Sequence, residues 1–400
     1  MVAMLQPLQD PSKRFFDQVV VPPSYLIFKV GNVIYAKNGL TGQIEFSGTD
    51  AGTVIQSVIN ALPDGGKIFF KRGFYEITSD VVLPIHRTFI FEGEGSRYYR
   101  YNINQTVGNT ILYFDGADFK DNGDGVWNDG WVYFVAKHLT IAFNGNASTG
   151  KGLMSMRTTL PYFTDVALYV KGTYRNNTII LFGRGVGPVG KTGIFHGVTV
   201  DASYTSGNYV TVLRVNFDTF IWDGGAILTN LGSEVFDSRL VRLEATQSAR
   251  VSQVSTYRDD RRPVSWFWLT PMDAADIPYE FEGIYFYGSG DGSDVNYHFT
   301  STEGMVKIRL RGVQSTSGTL KFNNVAPVEK SGSATINAGG TYVDVMHGLP
   351  FTPDINRIKV VPKDNLDGRS FWVSDVGATT FRINISLVDT VDHVFGWSYE

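Results

Sequence analysis

Apolar residues fall at helical spacing in only one stretch of the chain, Thr49 to Leu62, where Val54, Ile55, Val58, Ile59 and Leu62 share one face. Asp50 is placed to cap that helix, and Pro63-Asp64-Gly65-Gly66 ends it with turn chemistry. Strand patterns follow at once: Lys67 to Phe70, Tyr75 to Ile77, Val81 to Leu83, Thr88 to Glu92 and Thr110 to Phe114. From there to about Asn324, short β-branched and aromatic runs alternate with Gly, Asn, Asp and Ser, which predicts an all-β unit. Many runs are apolar on consecutive positions, as in parallel strands buried within a stack. The strongest recur at about 20–25 residues, near one solenoid turn. A solenoid cannot bury the open face of its first coil, and a helix directly before that coil solves the problem. Helix, turn, then strands is therefore the order expected of a capped solenoid rather than a sandwich.

Two further segments flank this unit. Residues 1–48 hold Pro7, Pro11 and Pro22-Pro23 between short apolar runs, and read as an extended arm with one or two strands. A composition break at Val328 to Ser333 separates residues 329–400, whose alternating runs predict a small β-sandwich. The solenoid then covers residues 49–328.

The residues Asp50, Ile55-Gln56, Val58-Ile59-Asn60, Gly65-Gly66-Lys67-Ile68, Gly73-Phe74-Tyr75 and Ile90-Phe91-Glu92-Gly93 resemble the opening of pectin-lyase-like right-handed parallel β-helix proteins. The likeness covers about Thr49 to Gly95. It implies the fold and leaves the chemistry open, because that fold hosts lyases, hydrolases, epimerases and non-enzymatic spikes. The family often places a proline before the Gly-x-Tyr turn, where this chain has Phe70-Lys71-Arg72. In the last segment, Val343 to Leu349, Thr352-Pro353, Phe371-Trp372-Val373 and Thr380 to Asn384 resemble small β modules appended to phage and archaeal-virus tail or surface proteins.

Composition narrows the function classes. The 400 residues carry 35 basic against 39 acidic side chains, a net charge of −4, which argues against an extended nucleic-acid surface. No apolar run approaches the roughly 18 residues of a spanning helix. Cysteine is absent, which removes disulfides, thiolate metal sites and a cysteine nucleophile, and also suits a hot or oxidising setting. No secretory signal is evident in Met1 to Phe16, so a virion or extracellular surface is expected to be reached by another route. Aromatics at 14% with charged residues at only 18% point to apolar surface that a homotrimer would cover.

Three constellations carry candidate chemistry. Asp121, Asp124 and Asp129, in a Gly/Asn-rich stretch, could ligate calcium, although the EF-hand register fails and a solvated turn is the preferred explanation. Asp201, Asp218, Asp223 and Asp237 could converge on one solenoid face and supply a glycosidase carboxyl pair, with Trp222 stacking on a sugar beside Gly224-Gly225. The alternative is that these acids sit at coil corners. Tyr257 and Arg258, followed by Trp266 and Trp268, offer the base, the cation and the aromatic platform of a uronate lyase, or else a self-paired charge cluster over core tryptophans. The leading expectation is a virion or cell-surface spike that binds, and could cleave, a surface polysaccharide. The rivals are a free lyase or hydrolase with a C-terminal carbohydrate-binding module, and a non-catalytic appendage protein.

Overall fold

The computed structural model describes residues 23–96, 109–123, 131–146, 148–175, 178–183, 192–208, 210–229, 238–258, 264–271, 279–288, 295–301, 306–315, 320–323, 325–349 and 352–399. Strands β1 (Tyr25–Val30), β2 (Val33–Asn38) and β3 (Ile44–Gly48) form an antiparallel meander. Helix α1 (Ala51–Asn60) follows, capped by Asp50, and β4 (Gly65–Phe70) then pairs in parallel with β1. From β4 onward, pairing in the solenoid is parallel and joins each strand to one a coil away, so the chain winds through three sheets. The same winding carries single strands round corners: Thr211–Thr229 runs continuously from the third sheet through the first into the second.

The first sheet shows the stacking most directly. Its inward positions form one column in register, Tyr25, Ile68, Phe91, Ala136, Phe163, Phe195, Trp222, Val251, Phe281, Leu310 and Lys330. Phe163 and Phe195 stack with centroids 5.1 Å apart, and Trp222 meets Phe195 edge-on at 5.8 Å. Each ring is thus packed above and below by the next coil, which excludes water along the whole interior. The repeat is roughly 30 residues, longer than the 20–25 expected, because each coil turns through three sheets.

One corner closes seven successive coils in the same way. His138, Asp165, Gly197, Gly224, Gln253, Gly283 and Gly312 stand at the end of the first sheet, all with φ between 51° and 72°. The left-handed conformation turns the chain from the first sheet into the second. Gly225, just beyond, has φ of 106°, and a Cβ there would lie 2.0 Å from Val198 O, so the coils stack this closely only with glycine.

The face of α1 bearing Val54, Ile55, Val58 and Ile59 is buried in the solenoid core, together with Ile27 of β1 and Ile34 of β2. Tyr25, Ile27, Ile34 and Ala36, within the segment expected as an arm with strands, thus pack in that core. Val325–Ile336 pairs in parallel with the last coil in its first half and antiparallel with His393–Tyr399 in its second. Beyond it, two antiparallel three-stranded arrangements enclose a separate core in which Phe381 meets Trp397 at 5.3 Å.

Candidate functional site on the outer face of the first sheet

The residue before each left-handed corner points outward, as does Glu92 in register with Lys137, because side chains alternate along a strand and the preceding residue lies in the core column. These outward residues form a second column: Glu92, Lys137, Thr164, His196, Asp223, Ser252, Glu282 and Arg311. Asp223 is exposed and accepts a hydrogen bond from Ser252 Oγ at 2.8 Å. His196 lies one coil to one side and its ring meets Tyr162 at 5.9 Å. Two coils to the other side stands Glu282, which accepts from Arg250 Nη2 at 2.8 Å. Glu280, two residues earlier on the same face, accepts from Arg309 Nη1 at 3.0 Å. Two coil spacings of about 4.8 Å put the backbones of Asp223 and Glu282 about 9.6 Å apart, near the upper limit of the roughly 6.5–9.5 Å that inverting glycosidases use between carboxyls.

The other expected acids lie elsewhere. Asp201 is fully buried on the second sheet, in register with Tyr169 and Leu228. Asp218 is buried at the bulge between Phe217 and Thr219, five residues before Asp223 and about 16 Å from it at the usual rise of a strand. Asp201, Asp218 and Asp223 therefore share no face, and Asp237 lies outside the described residues. Trp222 is a correction: its indole is fully buried, because strand alternation turns it inward when Asp223 turns outward. Its Nε1 donates to Gly224 O at 3.0 Å, which ties the indole to the corner instead of leaving it for a sugar.

Tyr257 and Arg258 end the strand Ser238–Arg258 on the second sheet, in register with Tyr287 and Gly288; their side chains lie outside the described residues. Neither tryptophan expected beside them forms an open platform. Trp266 is in the core against Phe286, centroids 5.8 Å apart. Trp268 stands on the third sheet with the Arg242 guanidinium 5.4 Å over its ring. Arg242 belongs to a cluster that sequence reasoning missed: buried Glu244 accepts from Arg214 Nη2 at 2.9 Å and Asn216 Nδ2 at 3.0 Å, and pairs with Arg242 Nε at 2.6 Å. Two guanidiniums against one carboxylate keep that charge paired within the protein.

The calcium expectation reduces to one described residue. Asp121 Oδ2 accepts from the Thr158 amide at 2.8 Å and Thr159 Oγ1 at 2.7 Å, and burial pushes its carboxyl above the usual range. It ties one coil to the next, a structural use of the carboxylate. Asp124 and Asp129 lie outside the described residues, and no group of three candidate ligands comes together among the described ones.

No protein-family model matches the chain, and no curated protein matches it in sequence. Solved structures similar to it include three phage tailspikes. Gp54 of Acinetobacter baumannii bacteriophage AP22, in complex with A. baumannii capsular saccharide, is 10% identical over 84% of this chain and 68% of its own, with a TM-score of 0.29. Gp49 of A. baumannii bacteriophage Fri1, a capsular polysaccharide depolymerase, is 9% identical over 86% and 82%, with a TM-score of 0.26. Gp61 of Pseudomonas phage phi297 is 7% identical over 87% and 91%, with a TM-score of 0.19.

Proposed function

We propose that the chain is a virion or cell-surface spike that binds polysaccharide along the outer face of the first sheet. The observation that carries this reading is the outward column in which Asp223 and Arg311 are exposed, His196 and Glu282 half-buried and Ser252 buried beneath them, flanked by Arg250, Glu280 and Arg309. It offers donors and acceptors at one-coil intervals along the axis, on a rigid backbone, which suits an extended polymer of repeating polar units. In this reading the proline-containing N-terminal segment attaches the spike and α1 caps the first coil. The C-terminal segment is a β-sandwich that assists assembly, and three copies associate to cover exposed aromatics such as Tyr133 and Tyr285.

Asp223 and Glu282, on one face two coils apart, are the carboxyl pair of a hydrolytic second activity. One carboxyl would protonate the leaving oxygen and the other would direct a water at the opposite face of the sugar. The rival lyase reading moves the chemistry to Tyr257 and Arg258. A polysaccharide screen separates them: binding alone gives retention without new reducing ends, hydrolysis gives reducing ends that Asp223→Asn and Glu282→Gln abolish, and a lyase gives an unsaturated product absorbing in the ultraviolet. Absence of binding to every polysaccharide would overturn the proposal.

A further inference from the structure

The inward column of the first sheet is apolar from Ile68 through Leu310, and its last rung is Lys330, only 4% exposed. Beneath the C-terminal segment this lysine lines a cavity of about 340 Å³, within the small end of the ~300–1,000 Å³ range of small-molecule sites. Gln314, Ser331, Ser333 and the indole of Trp397 share the lining. Gly348, at φ 55°, makes room for the amine, since a Cβ there would stand 2.5 Å from Lys330 Nζ. Gly332 likewise lets Trp397 Nε1 approach, 2.8 Å from where its Cβ would be.

Among the described residues no carboxylate pairs with Lys330. The one acid lining the cavity, Asp344, is exposed and committed to Arg382 through Nε at 2.7 Å and Nη2 at 3.1 Å. A buried ammonium without a counter-charge is costly, and a ligand that brings a negative charge removes the cost. Gln314, Ser333 and Trp397 in the lining offer such a ligand polar and aromatic neighbours beyond its charge.

We propose that this cavity is a binding site for a small hydroxylated organic anion of sugar-acid size, with Lys330 as its counter-charge. The site adjoins the last rung of the outer column, since Ser331 in its lining is in register with Arg311. Its pH behaviour follows from its surroundings. Burial pushes the Lys330 amine down to about 7. Of the neighbouring imidazoles, burial, with Lys321 and Lys330 nearby, pushes His298 down to about 3, and burial also lowers His347. His347 accepts from the Leu349 amide at Nδ1 and donates from Nε2 to Gly377 O. Asp344 and Arg382 hold each other charged.

Calorimetric titration of the full chain with glucuronate and with glucose tests the assignment. Glucuronate is expected to bind at least ten-fold more tightly than glucose, to weaken between pH 6 and pH 8.5, and to lose at least ten-fold in affinity in Lys330→Met. Lys330→Gln serves if the methionine variant does not fold. Glucuronate affinity unchanged within two-fold in these variants, equal affinity for glucose, or no binding of glucuronate by the unmodified chain would each overturn it.

Discussion

Ser79 donates its hydroxyl to Asp50 Oδ2 at 2.6 Å, so the residue that caps α1 also grips the turn between the strands Gly73–Ile77 and Val81–Leu83 of the first coil. The same oxygen accepts from the Thr53 amide at 2.8 Å, and Oδ1 accepts from the Thr78 amide at 3.0 Å. Burial favours the neutral acid, but the donors from Ser79, Thr78 and Thr53 outweigh it and hold the carboxyl well below the usual range. Asp50→Ala is therefore expected to destabilise by about 1–3 kcal/mol in chemical denaturation. Because the folded carboxyl is the stronger acid, its contribution is complete above the ordinary carboxylate range near 3.8 and fades as the pH falls below it. Melting curves between pH 7 and pH 3 should fall less steeply for Asp50→Asn than for the unmodified chain.

Ile55 is 1% exposed on the buried face of α1. Ile55→Asp puts a charge into that interface and is expected to cost roughly 2–5 kcal/mol, against about 1 kcal/mol for Ile55→Val. Equal melting temperatures for Ile55→Asp and the unmodified chain would remove the capping role proposed for α1.

Lys330 gives a pH dependence of the same sense in a higher pH range, but as a burial penalty relieved rather than a contribution gained. Its ordinary value of 10.5 applies to the unfolded chain and about 7 to the folded one. Below about 7 both forms carry the proton and the full burial penalty acts; between 7 and 10.5 the unfolded chain holds more protons, so stability rises with pH. Denaturation at pH 6 and pH 9 should show Lys330→Met more stable than the unmodified chain at the lower pH, with the difference narrowing at the higher.

The corner predicts two unlike glycines. Gly225→Ala should cost about 2 kcal/mol or more, since its Cβ would meet Val198 O at 2.0 Å. Gly224→Asn should cost under about 1 kcal/mol, because asparagine tolerates the left-handed region and a Cβ there makes only ordinary contacts near 3.7 Å. Thermal melts of the two variants compare them directly.

Assembly has its own measurement. Light scattering at micromolar concentration is expected to give three times the 44.3 kDa of one chain. A monomer mass would leave Tyr133 and Tyr285 as ordinary exposed side chains.

The helix and its cap were legible because they are local: Asp50 and the Val54, Ile55, Val58, Ile59 spacing lie within four turns of chain. The stacked fold was legible from runs of consecutive apolar residues. The faces were not. Trp222 and Asp223 differ by one position, and only the sheet register decides which of them meets solvent. A signal for that existed in Phe195-His196-Gly197, Trp222-Asp223-Gly224, Phe281-Glu282-Gly283 and Leu310-Arg311-Gly312: an apolar residue facing in, a polar one facing out, then the corner. His138, Asp165 and Gln253 in the corner position hid the repeat, as did unequal coil lengths. Glu282 and Ser252 were missed for the same reason, since nothing local joins them to Asp223. Glu244 was missed because its partners, Arg214 and Asn216, are one coil away.

The left-handed corner also separates what can vary from what must stay. The seven coils with this corner re-enter register at the same edge, so residues added at their other two turns lengthen a loop without shifting any rung of the column. The residue just before the corner can then be exchanged coil by coil, from Lys137 to Arg311, with the interior left as it is. A scaffold of this kind would let recognition of a new surface evolve by single substitutions along one edge, while stability is inherited unchanged from the stacked core.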